Sequence, residues 1–242
     1  MTSAPPPALD LDQAIAQALS RPHERVQRLE LADGQVVWFK QAEELQGLMR
    51  LQKGNGQQSL ERERAALKLL NAQHLPVAPL LAEGPNWFVT PDIGATLRDD
   101  MRAPQPHSAQ AFSAAGRALA QLHLAGFSHG RPAIRDICWD GSHARFIDFE
   151  RFQPKQRSPW TLALDVVIFA HSLYAEAIPS SAAEAQKQTL IEQALTSYAQ
   201  AAPEIWRYSQ RLARGLSWLA PLARLGRNRE FQAVAPCLAR LR

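Results

Sequence analysis

The sequence predicts an α+β protein of two lobes, a reduced β-rich N-lobe and a minimal helical C-lobe. Between residues 26 and 40 the chain is rich in β-branched and aromatic residues around a single turn signal, and Trp87-Phe88-Val89-Thr90 repeats that texture once. From Phe112 onward apolar residues instead recur at spacings of three and four, the period of a helix with one buried face. The switch falls in a Pro- and Gly-containing linker near residues 91–103.

Taken in order, residues 1–25 read as a flexible N-terminus, Pro-rich and disordered over 1–9, with a short helix at Leu11–Leu19 that stops before Pro22. Residues 26–94 form the N-lobe. Val26–Leu31 and Val36–Lys40 pair as a hairpin across Ala32-Asp33-Gly34. A polar stretch with Gly54-Asn55-Gly56 leads to Ser59, which caps a helix running from Leu60-Glu61-Arg62-Glu63 to about Leu70, and Pro76 and Pro79 follow it. Trp87–Thr90 is a further short strand closed by Pro91 and Gly94. Residues 95–242 form the C-lobe. Phe112, Ala115, Leu119 and Leu122 mark a helix to about Gly126, and Leu162, Val166, Phe169 and Leu173 mark a second. Between them Ile137-Cys138-Trp139 and Arg145-Phe146-Ile147 flank an Asp140-Gly141 turn. Helices near 183–200, 204–220 and 229–241 complete a layout that suits a cleft between lobes.

The composition of the 242 residues, 46% apolar with 27 Lys plus Arg against 23 Asp plus Glu, excludes a disordered, collagenous or disulfide-built chain. Cys138 and Cys237 lie far apart without a CxxC pair, so neither a disulfide framework nor a zinc site is supported. The seven His include no H-E-x-x-H, and no Ser lies in G-x-S-x-G. No run of about 18 apolar residues occurs and the start lacks a signal-peptide pattern, so the protein is expected in the cytoplasm. Charge is uneven. Residues 203–242 carry eight Arg against two Glu, a net of +6. There Arg207, Arg211 and Arg214 alternate with Trp206, Leu212, Leu216 and Trp218, either as the core face of a last helix or as contacts for an anionic glycolipid, a membrane surface or nucleic acid.

The chemistry-bearing stretch is His129-Gly130-Arg131-Pro132-Ala133-Ile134-Arg135-Asp136, followed by Ile137-Cys138-Trp139-Asp140-Gly141 and by Phe146-Ile147-Asp148-Phe149-Glu150. If the two short strands pair, Asp136 and Asp148 fall at the same end of the hairpin. Paired carboxylate oxygens at such an edge suit Mg²⁺ whose other positions are filled by phosphates. Two Asp residues taken alone more often cap turns or meet an arginine.

This segment resembles, without a gap, the H-G-D-x-x-x-x-N-I-L and I-D-F pattern of the protein-kinase-like superfamily, in particular the compact bacterial branch of lipopolysaccharide-core Kdo and heptose kinases and RIO-type kinases. Leu122-His123-Leu124-Ala125-Gly126-Phe127-Ser128 resembles the helix end that precedes the pattern. The resemblance covers about residues 26–175. It implies a two-lobed protein-kinase-like fold and an ATP-dependent phosphotransferase with Mg, acting on a sugar hydroxyl of the lipopolysaccharide core or a related small molecule. Asp148 and Asp136 would hold the metal, Lys40 the phosphates with Glu63 as its partner, and Thr90 and Ile93 would fall where a hinge meets adenine. His129 would serve structurally near Asp148, and Asp165 would be buried beneath the loop. Three departures stand out. Arg131 occupies the place of the catalytic Asp and cannot accept a proton at neutral pH. No G-x-G-x-x-G precedes Lys40, and Trp38 stands where a small residue usually covers adenine. The rival readings are a pseudokinase, a binding or regulatory module without phosphotransfer, and an accessory subunit of a nucleic-acid-modifying complex. A cytoplasmic protein peripheral at the inner membrane fits the basic C-terminal segment.

Overall fold

The computed structural model describes residues 9–42, 56–154, 158–178, 181–223 and 226–242. The Pro-rich start, Gly54-Asn55 and Arg224 lie outside them. The chain forms two compact units, one of residues up to Gln73 with Ala78–Asp92, the other of His74–Val77 with Ile93–Arg242.

In the first unit α1 (Leu11–Ser20) opens on a reciprocal cap, in which Asp10 accepts from the Gln13 N–H and the Gln13 side chain accepts from the Asp10 N–H. Ala14, Ile15 and Ala18 turn inward against Leu29, Val37, Phe39 and Val89. These last four belong to an antiparallel sheet of β1 (Val26–Glu30), β2 (Val36–Gln41), β3 (Ala82–Gly84) and β4 (Trp87–Pro91), in the order β1-β2-β4-β3. Val26 pairs with Lys40, the predicted hairpin. Strand alternation sends Val37 and Phe39 into the core and leaves Trp38 and Lys40 on the opposite face. Helix α2 (Gly56–Asn71) starts ahead of Ser59, so Ser59 lies inside the first turns rather than capping them. Its buried stripe of Leu60, Glu63, Ala66, Leu67 and Leu70 matches the 3.6 period. The Asn71 amide closes its end by donating to the Leu67 and Ala78 carbonyls at 2.8 and 2.9 Å.

In the second unit the expected linker over 91–103 is instead structured. It holds β5 (Ala95–Thr96) and α3 (Leu97–Arg102), whose Leu97 and Met101 are fully buried and whose Thr96 accepts from the Asp99 N–H. Elements of two and six residues are too short to show a hydrophobic period, which is why the sequence read as a connection. β5 adds to β6 (Ile137–Trp139) and β7 (Ala144–Phe146) as a three-stranded sheet. Gly94, at φ +91°, passes so close to the Trp139 carbonyl that a Cβ would collide with it. Helix α4 (Ser108–Leu124) buries Phe112, Ala115, Leu119 and Leu122. Helix α5 (Pro159–Ala175), capped by Ser158, buries Leu162, Val166, Phe169 and Leu173. Helices α6 (Ser181–Ala201), α7 (Pro203–Gly215), α8 (Leu219–Ala223) and α9 (Arg229–Arg240) follow.

The single helix expected over 204–220 is broken after Gly215, a poor helix former, by a turn through Leu216–Trp218. Both readings of this segment find part of what they require. Ile205, Ser209 and Ala213 form the inner stripe of α7, and Trp206 is half-buried beside Tyr198 with the Arg240 guanidinium over its ring. Arg207, Arg211, Arg214 and Trp218 are exposed. No helix among the described residues is long and apolar enough to cross a membrane.

Candidate active site

β6 and β7 pair with Ile137 opposite Phe146, and the Ile147 N–H continues the ladder by donating to the Asp136 carbonyl at 2.9 Å. Asp136 and Asp148 therefore emerge at one end of the hairpin. The loop that precedes them is held from two sides. Nε2–H of His129 donates to the Ile147 carbonyl at 2.9 Å, with the imidazole centred 4.4 Å from the Phe149 ring. Burial lowers the His129 pKa, which keeps the ring neutral for that bond. From below, Asp165 of α5 accepts the His129 N–H at 2.6 Å and the Gly130 N–H at 3.1 and 3.2 Å. It also meets Nε2 of His123 at 3.4 Å, while the Tyr198 hydroxyl lies 2.7 Å from His123 Nδ1. Gly130 sits at φ +90° with the Arg151 main chain where a Cβ would be, so this turn requires glycine. Sequence reasoning reached His129 and Asp165 but missed Tyr198, which lies 75 residues beyond His123 in a helix with no motif of its own.

Arg131 lies between the two acids. Its Nη2 donates to Asp148 Oδ2 at 2.9 Å and is 3.9 Å from Asp136 Oδ2, while Arg135 Nε is 3.6 Å from Asp136 Oδ1. Asp136 is 5% exposed, and its Oδ2 receives no hydrogen bond among the described residues. Burial first, and then the neighbouring Asp148 charge, push its carboxyl from 3.8 up to about 6, against the opposing pull of Arg135 and Arg131. Asp148 holds a left-handed backbone at φ +63°, which for a non-glycine residue costs about 1 kcal/mol or more. A buried carboxylate oxygen without a hydrogen bond, beside a second carboxylate, is a donor set that fits a hard divalent cation.

In the first unit, Lys40 Nζ and Glu63 Oε2 are 2.5 Å apart, with both side chains largely buried. The choice of Glu63 over Glu61 follows from helix phase. Glu63 lies on the inward stripe of α2, whereas Glu61 is exposed and accepts from the Gln57 side chain. Thr90 is half-buried, one residue past Val89, where the β3 ladder stops. Ile93 is buried and belongs to the second unit. Trp38 lies on the Lys40 face of β2 and is 37% exposed.

Residues 28–203 match the phosphotransferase enzyme family (APH), most of the chain. The chain belongs to that family. It is thereby a member of the protein-kinase-like superfamily, which the sequence pattern implied. Use of a nucleotide and a divalent metal is general in that family. An uncharacterized protein of Haemophilus influenzae (strain Rd) is 33% identical over 147 residues, 60% of this chain and 61% of that protein. The alignment thus spans less than two thirds of that relative. Two solved structures of the bifunctional kinase-methyltransferase WbdD are also similar. They are 20% and 18% identical, with TM-scores of 0.47 and 0.46, covering 77% and 79% of this chain and 47% and 49% of theirs.

Proposed function

We propose that this family member is an ATP-dependent phosphotransferase whose metal ligands are Asp136 and Asp148. The observation that carries the reading is the emergence of both carboxylates at one end of the β6–β7 hairpin, with a buried Asp136 oxygen lacking a hydrogen bond. Mg²⁺ bound there would neutralise phosphate charge. Glu63 orients the Lys40 ammonium for the α- and β-phosphates, in keeping with their 2.5 Å contact. Thr90 and Ile93 supply the adenine end. Asp165 holds the His129–Arg131 loop through its main chain. Arg131 stays protonated and takes no proton from the acceptor. The reaction therefore rests on positioning and charge neutralisation, which carry most of phosphoryl transfer. The γ-phosphoryl group passes to an acceptor oxygen, the bond to the ADP oxygen breaks, and the acceptor proton leaves to solvent.

The acceptor we assign is a sugar hydroxyl of a core glycolipid. The exposed Arg207, Arg211 and Arg214 support it, as groups able to attract an anionic membrane surface and so hold the protein peripheral to the inner membrane. Co-sedimentation with anionic and neutral vesicles tests this arm: charge reversal at these three positions should abolish low-salt retention. Retention by nucleic acid but not by vesicles would replace the glycolipid reading.

A second reading, a pseudokinase that binds nucleotide without transfer, is favoured by the Arg131–Asp148 contact at 2.9 Å. Calorimetric titration of ATP with and without Mg²⁺, joined to an assay for ADP release, separates the two. Metal-dependent binding with turnover supports the enzyme. Binding without turnover supports the module, and no binding overturns both.

A further inference from the structure

Resting on the assignment of Asp136 and Asp148 as metal ligands, we propose that Arg131 is a resident cation of this acid pair, so that a divalent metal reaches the carboxylates only by displacing it. Its guanidinium is bonded to Asp148 Oδ2 at 2.9 Å and stands 3.9 Å from Asp136 Oδ2, between the two oxygens a metal would use. Charge leads to the same conclusion. Arg131 and Arg135 offset the Asp136 and Asp148 carboxylates, leaving Glu150, whose carboxylate lies within 4.8 Å of that of Asp148, as one net negative charge before any ion arrives. A divalent ion added without displacement leaves the cluster at +1, with guanidinium and metal competing for the same lone pairs.

The arrangement also permits displacement. The Arg131 side chain is 32% exposed, whereas the Asp136 side chain is nearly enclosed at 7%. The main chain of His129 and Gly130 is tied to Asp165, so the guanidinium can swing away while the loop stays in place. Once released, its planar donors suit phosphate oxygens. Metal entry is thereby coupled to arrival of a phosphate ligand: free divalent ions are held off, and the metal–nucleotide complex is admitted because its phosphates receive the arginine that its metal evicts.

The test uses Mn²⁺ alone on the full chain without nucleotide, following the free aqua-ion by electron paramagnetic resonance. Arg131→Met, which keeps the side-chain length and removes the charge, should bind one Mn²⁺ at least tenfold more tightly than wild type. Arg131→Lys should stay close to wild type, and Asp148→Ala in the Met background should remove the tightened site. Arg131→Gln serves in place of the Met variant if that does not fold. Equal Mn²⁺ affinity in wild type and the uncharged variant overturns the proposal, as does a Lys variant that binds as tightly as the Met variant, or no Mn²⁺ binding in any form. ATP titrated into the same samples separates this from the phosphotransferase reading. Tightened Mn²⁺ binding without ATP binding sinks only the nucleotide reading, and ATP binding with unchanged Mn²⁺ affinity sinks only the resident cation.

Discussion

Asp165 and Asp136 are two carboxylates of one unit, each almost sealed from water at 2% and 5% exposure, yet their surroundings are opposite. Asp165 is met by the His129 and Gly130 N–H groups and by His123. Asp136 has an oxygen with no hydrogen bond, a second acid nearby and a carboxyl raised to about 6. A satisfied buried carboxylate stabilises the fold, whereas an under-satisfied one carries a stability cost that a bound cation can relieve. The contrast separates a fully satisfied acid from the under-satisfied one proposed as a metal ligand, something residue type and burial alone do not.

The strongest test of that contrast is Asp165→Ala. It strands two main-chain donors, one buried and one half-buried, and denaturant unfolding should register a loss of about 3–5 kcal/mol, with Asp165→Asn milder because one acceptor survives. A loss below about 1 kcal/mol would remove the distinction.

At Asp136 the sign reverses. Because its folded pKa of about 6 lies above the ordinary 3.8, the protonated group favours the folded state. Its contribution is complete below the unfolded value and disappears as pH rises through about 6. Above that the ionised carboxylate is a burden of up to about 3 kcal/mol, at roughly 1.4 kcal/mol per pH unit. In chelator, Asp136→Asn should therefore gain stability over wild type at pH 8 and lose that advantage toward pH 4. A difference independent of pH would contradict the assignment.

The third test adds ligand. At 100 times its dissociation constant Mg-ATP should stabilise the wild type by about 2.7 kcal/mol, and Asp148→Ala should lose most of it. Equal thermal shifts in the two proteins would leave the acid pair without a metal role. The smallest effect belongs to the scaffold side: Tyr198→Phe removes the partner of His123 Nδ1 and should cost about 1 kcal/mol while nucleotide affinity stays unchanged. A fall in affinity there would mean that scaffold and site are not separable.

What the sequence revealed of this arrangement follows from range. The β1–β2 hairpin and the β6–β7 pair are local, written in alternation and turn residues. The order Lys40, Glu63, His129, Asp136, Asp148, Asp165 was legible because the superfamily pattern runs ungapped through its central part. β5 and α3 were missed because neither is long enough to display a period, and Ser59 was misread because the helix begins at Gly56, about one turn ahead of its first buried residue, Leu60. Tyr198 on His123 and Arg135 against Asp136 left no trace. The Arg131–Asp148 pair stood only as an open alternative, since an arginine in a loop does not announce which of several acids it will meet.

The left-handed backbone of Asp148 has an evolutionary consequence. Glycine would occupy that conformation without strain, and replacing Asp148 would also relieve the repulsion felt by Asp136. A library of variants sorted for thermal resistance alone would therefore tend to purge this acid, enriching folds that survive heating and have given up the proposed metal ligand. Sorting the same library for metal-dependent nucleotide retention would pull the opposite way, making position 148 a place where durability and chemistry are selected against each other.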